Sequence, residues 1–260
     1  MNPMSMNARK LERWAPLILL AAIVALWQVV CSLLAVPEFI FPSPIKIAQA
    51  LVDFTGPIAT AAWQTFWVTM VGFGLSIVIG VSLGFLVGST RLAHAAVFPL
   101  LVAFNAVPKA AIVPILVVWF GIGMGPGILT AFLISFFPIT VNMATGLATL
   151  EPELEDVLRV LGAKRRDILL KVGLPRSLPY FYASLKVSIT LAFVGTVLAE
   201  MTAGDSGIGY LMQSAGSQQR LALAFAGLVV IGAMAMAMSE LFSYIERHTT
   251  AWAHRGSQNE

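Results

Sequence analysis

The stretch Trp63 to Gly88 reads WQTFWVTMVGFGLSIVIGVSLGFLVG, without one charged side chain. A helix of that length crosses the hydrocarbon layer of a bilayer. Within it Gly72, Ser76, Gly80, Gly84 and Gly88 place a small residue at every fourth position, which gives the helix one smooth stripe. Such a stripe lets a second backbone approach closely, so it is a packing face. Spacing alone leaves open whether the neighbour belongs to the same chain or to a second copy.

The surrounding sequence has the same character. Between Asp53 and Glu151 the only formal charges are Arg91 and Lys109. Hydrophobic residues make up 58% of the 260 residues and charged ones 11%, with a mean hydropathy of +0.85, values that exclude a soluble enzyme and indicate a membrane protein. Six segments reach spanning length, roughly 15–36, 63–88, 97–120, 127–148, 181–203 and 221–243. The expected fold class is therefore all-α: one polytopic domain over residues 1–260 with six transmembrane helices. The first span is too long for a secretory signal and no small-x-small cleavage site follows it. Cys31 stands alone in an apolar segment, so no disulfide or zinc site is implied.

Loop charge sets the expected orientation. With the amino terminus inside, the inner segments hold Arg9, Lys10, Arg13, Arg91, Arg159, Lys164, Arg165, Arg166, Lys171, Arg176, Arg247 and Arg255, whereas the outer loops hold Lys46 and Arg220. Both termini are then cytoplasmic. The net charge of +3 follows from this topology, and the short basic run lacks the interleaved aromatics of a nucleic-acid site. Lys186 is expected to snorkel to the headgroups. The outer loop 36–62, rich in proline, is expected to lie along the membrane surface.

Residues 151–179 differ from everything around them. Leu154, Val157, Leu158 and Leu161 recur at helical spacing, Gly162 interrupts, and Ile168, Leu169 and Val172 resume an apolar face until Pro175. The pattern predicts two short amphipathic helices joined at Gly162 and stopped at Pro175, suited to lying in a groove of another protein. From Asp156 to Pro175 the chain reads DVLRVLGAKRRDILLKVGLP. This resembles the EAA signature of bacterial ATP-binding-cassette importer permeases. Asp156, Gly162, Val172, Leu174 and Pro175 match in kind and spacing, while Val157 and Leu158 stand at two positions that are often alanine, and Asp156 replaces glutamate. FPSP from Phe41, PKAAIVPILVVWFGIG from Pro108, FFPITVN from Phe136 and LAEMTAGDSGIGYLM from Leu198 extend the likeness to the nitrate, sulfonate and taurine branch.

The resemblance implies a type I importer permease fold in the bacterial inner membrane, with two copies around a two-fold axis or a paralogue as the second half. It also implies a cytoplasmic ATPase docked on the paired helices, where Asp156, Gly162, Arg165, Arg166 and Pro175 are the coupling candidates. A periplasmic or lipid-anchored binding protein would deliver the solute. The chain has no GxxxxGK[ST] loop, so no nucleotide or other cofactor is expected on it. The expected cargo is a small anion such as a sulfonate, taurine or nitrate; relatives in the branch also carry heteroaromatic vitamin precursors such as thiamin pyrimidines.

Polar groups in hydrocarbon are costly unless they face protein or water. The candidates for the path are Lys109, Ser135, Asn142, Ser188, Thr196 and Glu200. Ser135 and Asn142 are seven apart and share a helix face. Serine hydroxyls also bond to their own helix backbone, Lys109 also suits a headgroup, and Glu200 would repel an anion, which fits a gate or structural role better. A stand-alone carrier would show repeated halves or a broken helix at midplane, and neither is visible in the sequence. An intramembrane enzyme would need a catalytic pair that the spans lack.

Overall fold

The computed structural model describes residues 3–148 and 152–250, and every regular element among them is helical. In order these are α1 (Pro3–Leu33), α2 (Pro44–Asp53), α3 (Thr55–Ser89), α4 (Arg91–Ala106), a 3₁₀ turn (Lys109–Ile112), α5 (Val113–Phe120), α6 (Met124–Ala148), α7 (Pro152–Val160), α8 (Arg165–Ile168), a π turn (Leu169–Gly173), α9 (Leu174–Ala203), α10 (Gly207–Ser217) and α11 (Leu221–Thr249). Glu151 and Arg255, used above in reading the charge pattern, lie outside the described residues. Among the described residues five helices are long and apolar enough to cross a membrane, and six spans result if a bent pair counts as one.

That bent pair is the third expected span. Leu92–Ala106 and Lys109–Phe120 meet at 75° instead of continuing as one helix over 97–120. Pro108 disfavours helical backbone at the residue before it, and Val107 is indeed extended, with φ −66° and ψ 127°. A broken span is therefore present, although the sequence reading saw none. The outer loop 36–62 also holds more structure than expected, since α2 occupies ten of its residues with Ser43 at the N-cap and Pro44 at the first helical position.

The chain divides into two compact units, Met1–Ala59 with Leu211–Val229, and Thr60–Tyr210 with Val230–Glu260. In the first, Trp27, Phe41 and Phe225 form an aromatic cluster with ring centroids 5.1 to 6.3 Å apart, and Gln28 accepts the Ile45 N–H at 3.2 Å. Ile47 and Ala50 give α2 its buried side.

The second unit is built on close backbone approach. A Cβ at Gly80 would lie 2.9 Å from the Ile139 Cβ, at Gly84 2.6 Å from the Met143 Cβ, and at Gly88 2.9 Å from the Leu147 Cβ. The smooth stripe of α3 thus packs on α6 of the same chain, with its small residues where α6 presents larger ones. Helices α6 and α9 run antiparallel, because Gly195 abuts Ala131 while Gly146 abuts Ser177. Phe136 of α6 stacks with Phe132 at 5.3 Å and meets Phe104 of α4 at 5.9 Å, beside buried Val87 and Leu101. Lys186 has a partner the sequence did not show: its Nζ donates to Glu246 of α11 at 2.7 Å. The half-buried ammonium thus has a carboxylate as counter-charge within the chain.

Candidate functional site

Two regions hold the predicted residues, the hairpin between α6 and α9 and the polar groups inside the spans. In the hairpin, α7 ends in a left-handed residue. Gly162 has φ +88°, its N–H goes to the Arg159 carbonyl at 2.9 Å, and the Ala163 N–H goes to the Leu158 carbonyl at 3.0 Å. This is a Schellman ending, for which glycine is the favoured residue. A Cβ at Gly162 would meet nothing within 4 Å. Val157, Val160 and Leu161 are 56%, 87% and 76% exposed, so much of the apolar stripe of α7 is uncovered by this chain. Asp156 and Arg166 are also exposed, and the side chain of Arg165 lies outside the described part of the molecule. Arg166 borders an open cleft of about 520 Å³ with Phe85, Ser89, Thr90, Leu169 and Leu170.

Pro175 does not end the second helix. The chain passes from α8 through the π turn into α9, and the Leu174 N–H reaches the Leu169 carbonyl five residues back. Proline lacks an N–H and its ring crowds the carbonyl four residues earlier. The wider turn just before Pro175 relieves that crowding, so the helix continues.

Inside the second unit the polar residues fall into separate sets. Ser135 shares a hydrogen bond with Ser76 of α3 at 2.6 Å and donates to the Ala131 carbonyl at 2.7 Å. Asn142 donates to the Pro138 carbonyl at 2.9 Å and is half-buried. The Ser188 hydroxyl is fully buried and has no hydrogen-bond partner among the described residues. Lys109 turns back on α4, donating to the backbone carbonyl of Asn105 and, at 2.7 Å, to its Oδ1. A cation at a helix C-terminus opposes the negative end of the helix dipole, which steadies the bend.

Thr196 and Glu200 come together with α3. Thr69 donates to the Thr196 hydroxyl at 2.8 Å. One turn away the Thr65 hydroxyl lies 2.9 Å from both oxygens of Glu200, and the Gly209 N–H donates to the carboxylate at 2.8 Å. Glu200 is 7% exposed, so this carboxylate is held by protein donors rather than by solvent. Thr65 and Thr69 escaped the sequence reading. Their signal was present: residues 65, 69, 72, 76, 80, 84 and 88 continue one stripe of small and hydroxyl side chains along α3.

A family model for "Binding-protein-dependent transport system inner membrane component" matches residues 76–250. The chain belongs to that family. A probable ABC transporter permease of Haemophilus influenzae is 34% identical over 88% of this chain and 94% of its own length. The formylaminopyrimidine transport permease ThiX of Halalkalibacterium halodurans is 30% identical, covering 78% and 81%. The putative aliphatic sulfonates transport permease SsuC of Bacillus subtilis is 28% identical, covering 94% and 90%. Among solved structures, the MetNI methionine ABC transporter in inward-facing conformations matches with TM-score 0.67 at 20% identity, over 76% of this chain and 98% of that one. The likeness to MetNI concerns the fold alone. The permease is thus a multi-pass membrane component of an ATP-binding-cassette importer, as the hairpin sequence implied.

Proposed function

We propose that the permease forms the translocation path of a bacterial inner-membrane importer as two copies of itself, with both termini cytoplasmic. A cytoplasmic ATPase docks on α7 and α8, and a periplasmic or lipid-anchored binding protein delivers a small organic or inorganic anion such as a sulfonate, taurine or nitrate. The observation that carries the docking role is the uncovered apolar face of α7 beside the Gly162 turn. An amphipathic helix in water needs a partner for such a face. Asp156, Gly162, Arg165 and Arg166 are the residues offered to the ATPase, and Pro175 fixes where the hairpin passes into the span.

Reversing Arg165 and Arg166 to glutamate is expected to weaken recovery of the ATPase about tenfold at low salt, with the difference shrinking as salt screens the pairs. Pull-down at two ionic strengths measures it, and equal recovery of wild type and variant at low salt would remove the arginines from the interface.

For the path, Asn142, Ser188, Thr196 and Lys109 remain the proposed polar lining. Ser135 and Glu200 are proposed to serve it through helix packing. The anion reading is supported by the sulfonate permease among the relatives and by Lys109 as a cation at the broken span. The formylaminopyrimidine permease favours a second reading, a heteroaromatic vitamin precursor. Uptake into proteoliposomes carrying permease, ATPase and binding protein separates them. Labelled taurine entering with ATP, and a labelled formylaminopyrimidine failing to enter, is the expected result; the reverse would transfer the assignment to the vitamin class.

A further inference from the structure

The start of α10 is capped from a distance. Its first three N–H groups go to side chains of two spanning helices: Gly207 to Gln64 Oε1 at 3.1 Å, Ile208 to Thr65 Oγ1 at 2.8 Å, and Gly209 to Glu200 Oε2 at 2.8 Å. Thr65 acts as a relay, accepting from Ile208 while it donates to Glu200. The local candidate for a cap, Ser206, is turned to Asp205 Oδ1 at 3.0 Å instead. Orphan N–H groups at a helix start need partners, and a neighbouring serine, threonine or aspartate normally supplies them. Here they are met only while α3 and α9 keep their present spacing. The fit leaves no slack, since a Cβ at Gly207 would run into the Glu200 carboxylate and one at Gly209 would lie 2.5 Å from the Val197 carbonyl.

We infer that Gln64, Thr65 and Glu200 form a latch in which the first turn of α10 holds α3 and α9 together at the outer end of the permease, and that the latch must release for the transport cycle to proceed. All three are positioning residues. The inference rests on the importer reading and on the outward placement of the α9–α10 corner. A static staple of identical geometry would hold the same helices without ever opening, and the two behave differently when the corner is covalently closed.

Gln64 and Ser206 line one small cavity beside Glu200, and the Gln64 Oε1 accepts the N–H of Gly207, the residue after Ser206, so cysteines at both positions are to be bridged by bis-thiosulfonate linkers of graded length. The experiment uses Gln64→Cys/Ser206→Cys in a Cys31→Ser background, reconstituted with the ATPase and the binding protein, and reads phosphate release from ATP. The wild-type complex hydrolyses ATP if the importer reading holds; its failure to do so would strike that reading rather than the latch. Because Gln64→Cys itself removes one acceptor of the latch, the reduced double variant is the reference: cross-linking is expected to lower its hydrolysis at least tenfold, with recovery on reduction, whereas the same treatment leaves each single-cysteine variant at its own untreated rate. Unchanged hydrolysis in the cross-linked complex would overturn the latch. As a second measurement, Thr65→Val is expected to raise hydrolysis in the absence of binding protein severalfold, and Thr65→Ser, which keeps the relay, to stay within twofold of wild type. A Thr65→Val variant that loses only thermal stability would count against release.

Discussion

Gly162→Asp is expected to leave the permease inserted, folded and paired while ATP hydrolysis and solute uptake separate. The separation follows from what surrounds the glycine. A left-handed backbone with φ +88° costs a non-glycine residue roughly 1 kcal/mol, and aspartate is among the residues that accept it best. Its immediate chain neighbours aside, no described atom lies within 4 Å of the added Cβ, so the chain itself has little reason to unfold. Whatever the substitution obstructs must therefore belong to a partner. If the Gly162 turn sits in the ATPase groove, a carboxylate forced against it acts as an interface hot spot, worth about 2 kcal/mol or more, some thirtyfold in affinity. Gly162→Ala carries a backbone cost at least as large as aspartate's with only one methyl group, and it separates strain from collision. ATPase pull-down, ATP hydrolysis and uptake measured together decide the matter. Wild-type coupling in Gly162→Asp would remove the hairpin from the interface, and loss of insertion would make Gly162 a folding residue.

The second large effect is expected in the stripe of α3. Gly84→Val places a Cβ 2.6 Å from the Met143 Cβ and 2.8 Å from the Thr140 carbonyl. Backbone and a side-chain root cannot step aside as a flexible tip would, so the two helices must separate. Overpacking of this kind costs roughly 1–3 kcal/mol, and more where backbone has to move. Gly74→Val, on the same helix with nothing within 4 Å, is the control and should cost less than about 0.5 kcal/mol. Thermal unfolding of the purified chain in detergent is the measurement. Equal stability of the two variants would mean that α3 and α6 do not pack along the stripe.

Much of this architecture was legible because the bilayer makes residue chemistry obvious. Charge-free runs gave the spans, small residues at every fourth position gave the packing face of α3, and Gly162 gave the hairpin turn. What escaped depended on effects that apolar length hides. Val107 and Pro108 break the third span, yet hydropathy runs through them without a dip, so counting apolar residues joined what the pre-proline backbone divides. At Pro175 the opposite error arose: a strong local stop signal was overridden by the π turn before it, and the geometry of that turn cannot be seen in residue types. Of the polar candidates, Ser135, Ser188, Thr196 and Glu200 are buried while Lys109 and Asn142 are half-buried, and the sequence showed the partners of none of them. Glu200 and Thr65 are 135 residues apart, and only the antiparallel stacking of the helices shows that the hydroxyl of one meets the carboxylate of the other.

The π turn at Leu169–Gly173 also sets the phase of everything after it. It spends one residue more than an α turn would, and each residue rotates a helix by about 100°. The continuous apolar helix Arg166–Ala203 runs through that turn, so the extra residue fixes the azimuth at which Gly195, Thr196 and Glu200 leave the helix axis. Removing a single residue there would leave composition and hydropathy almost untouched. It would nevertheless swing the face that carries the Glu200 carboxylate by more than a quarter of a revolution, away from Thr65 and toward whatever borders the helix on its other flank.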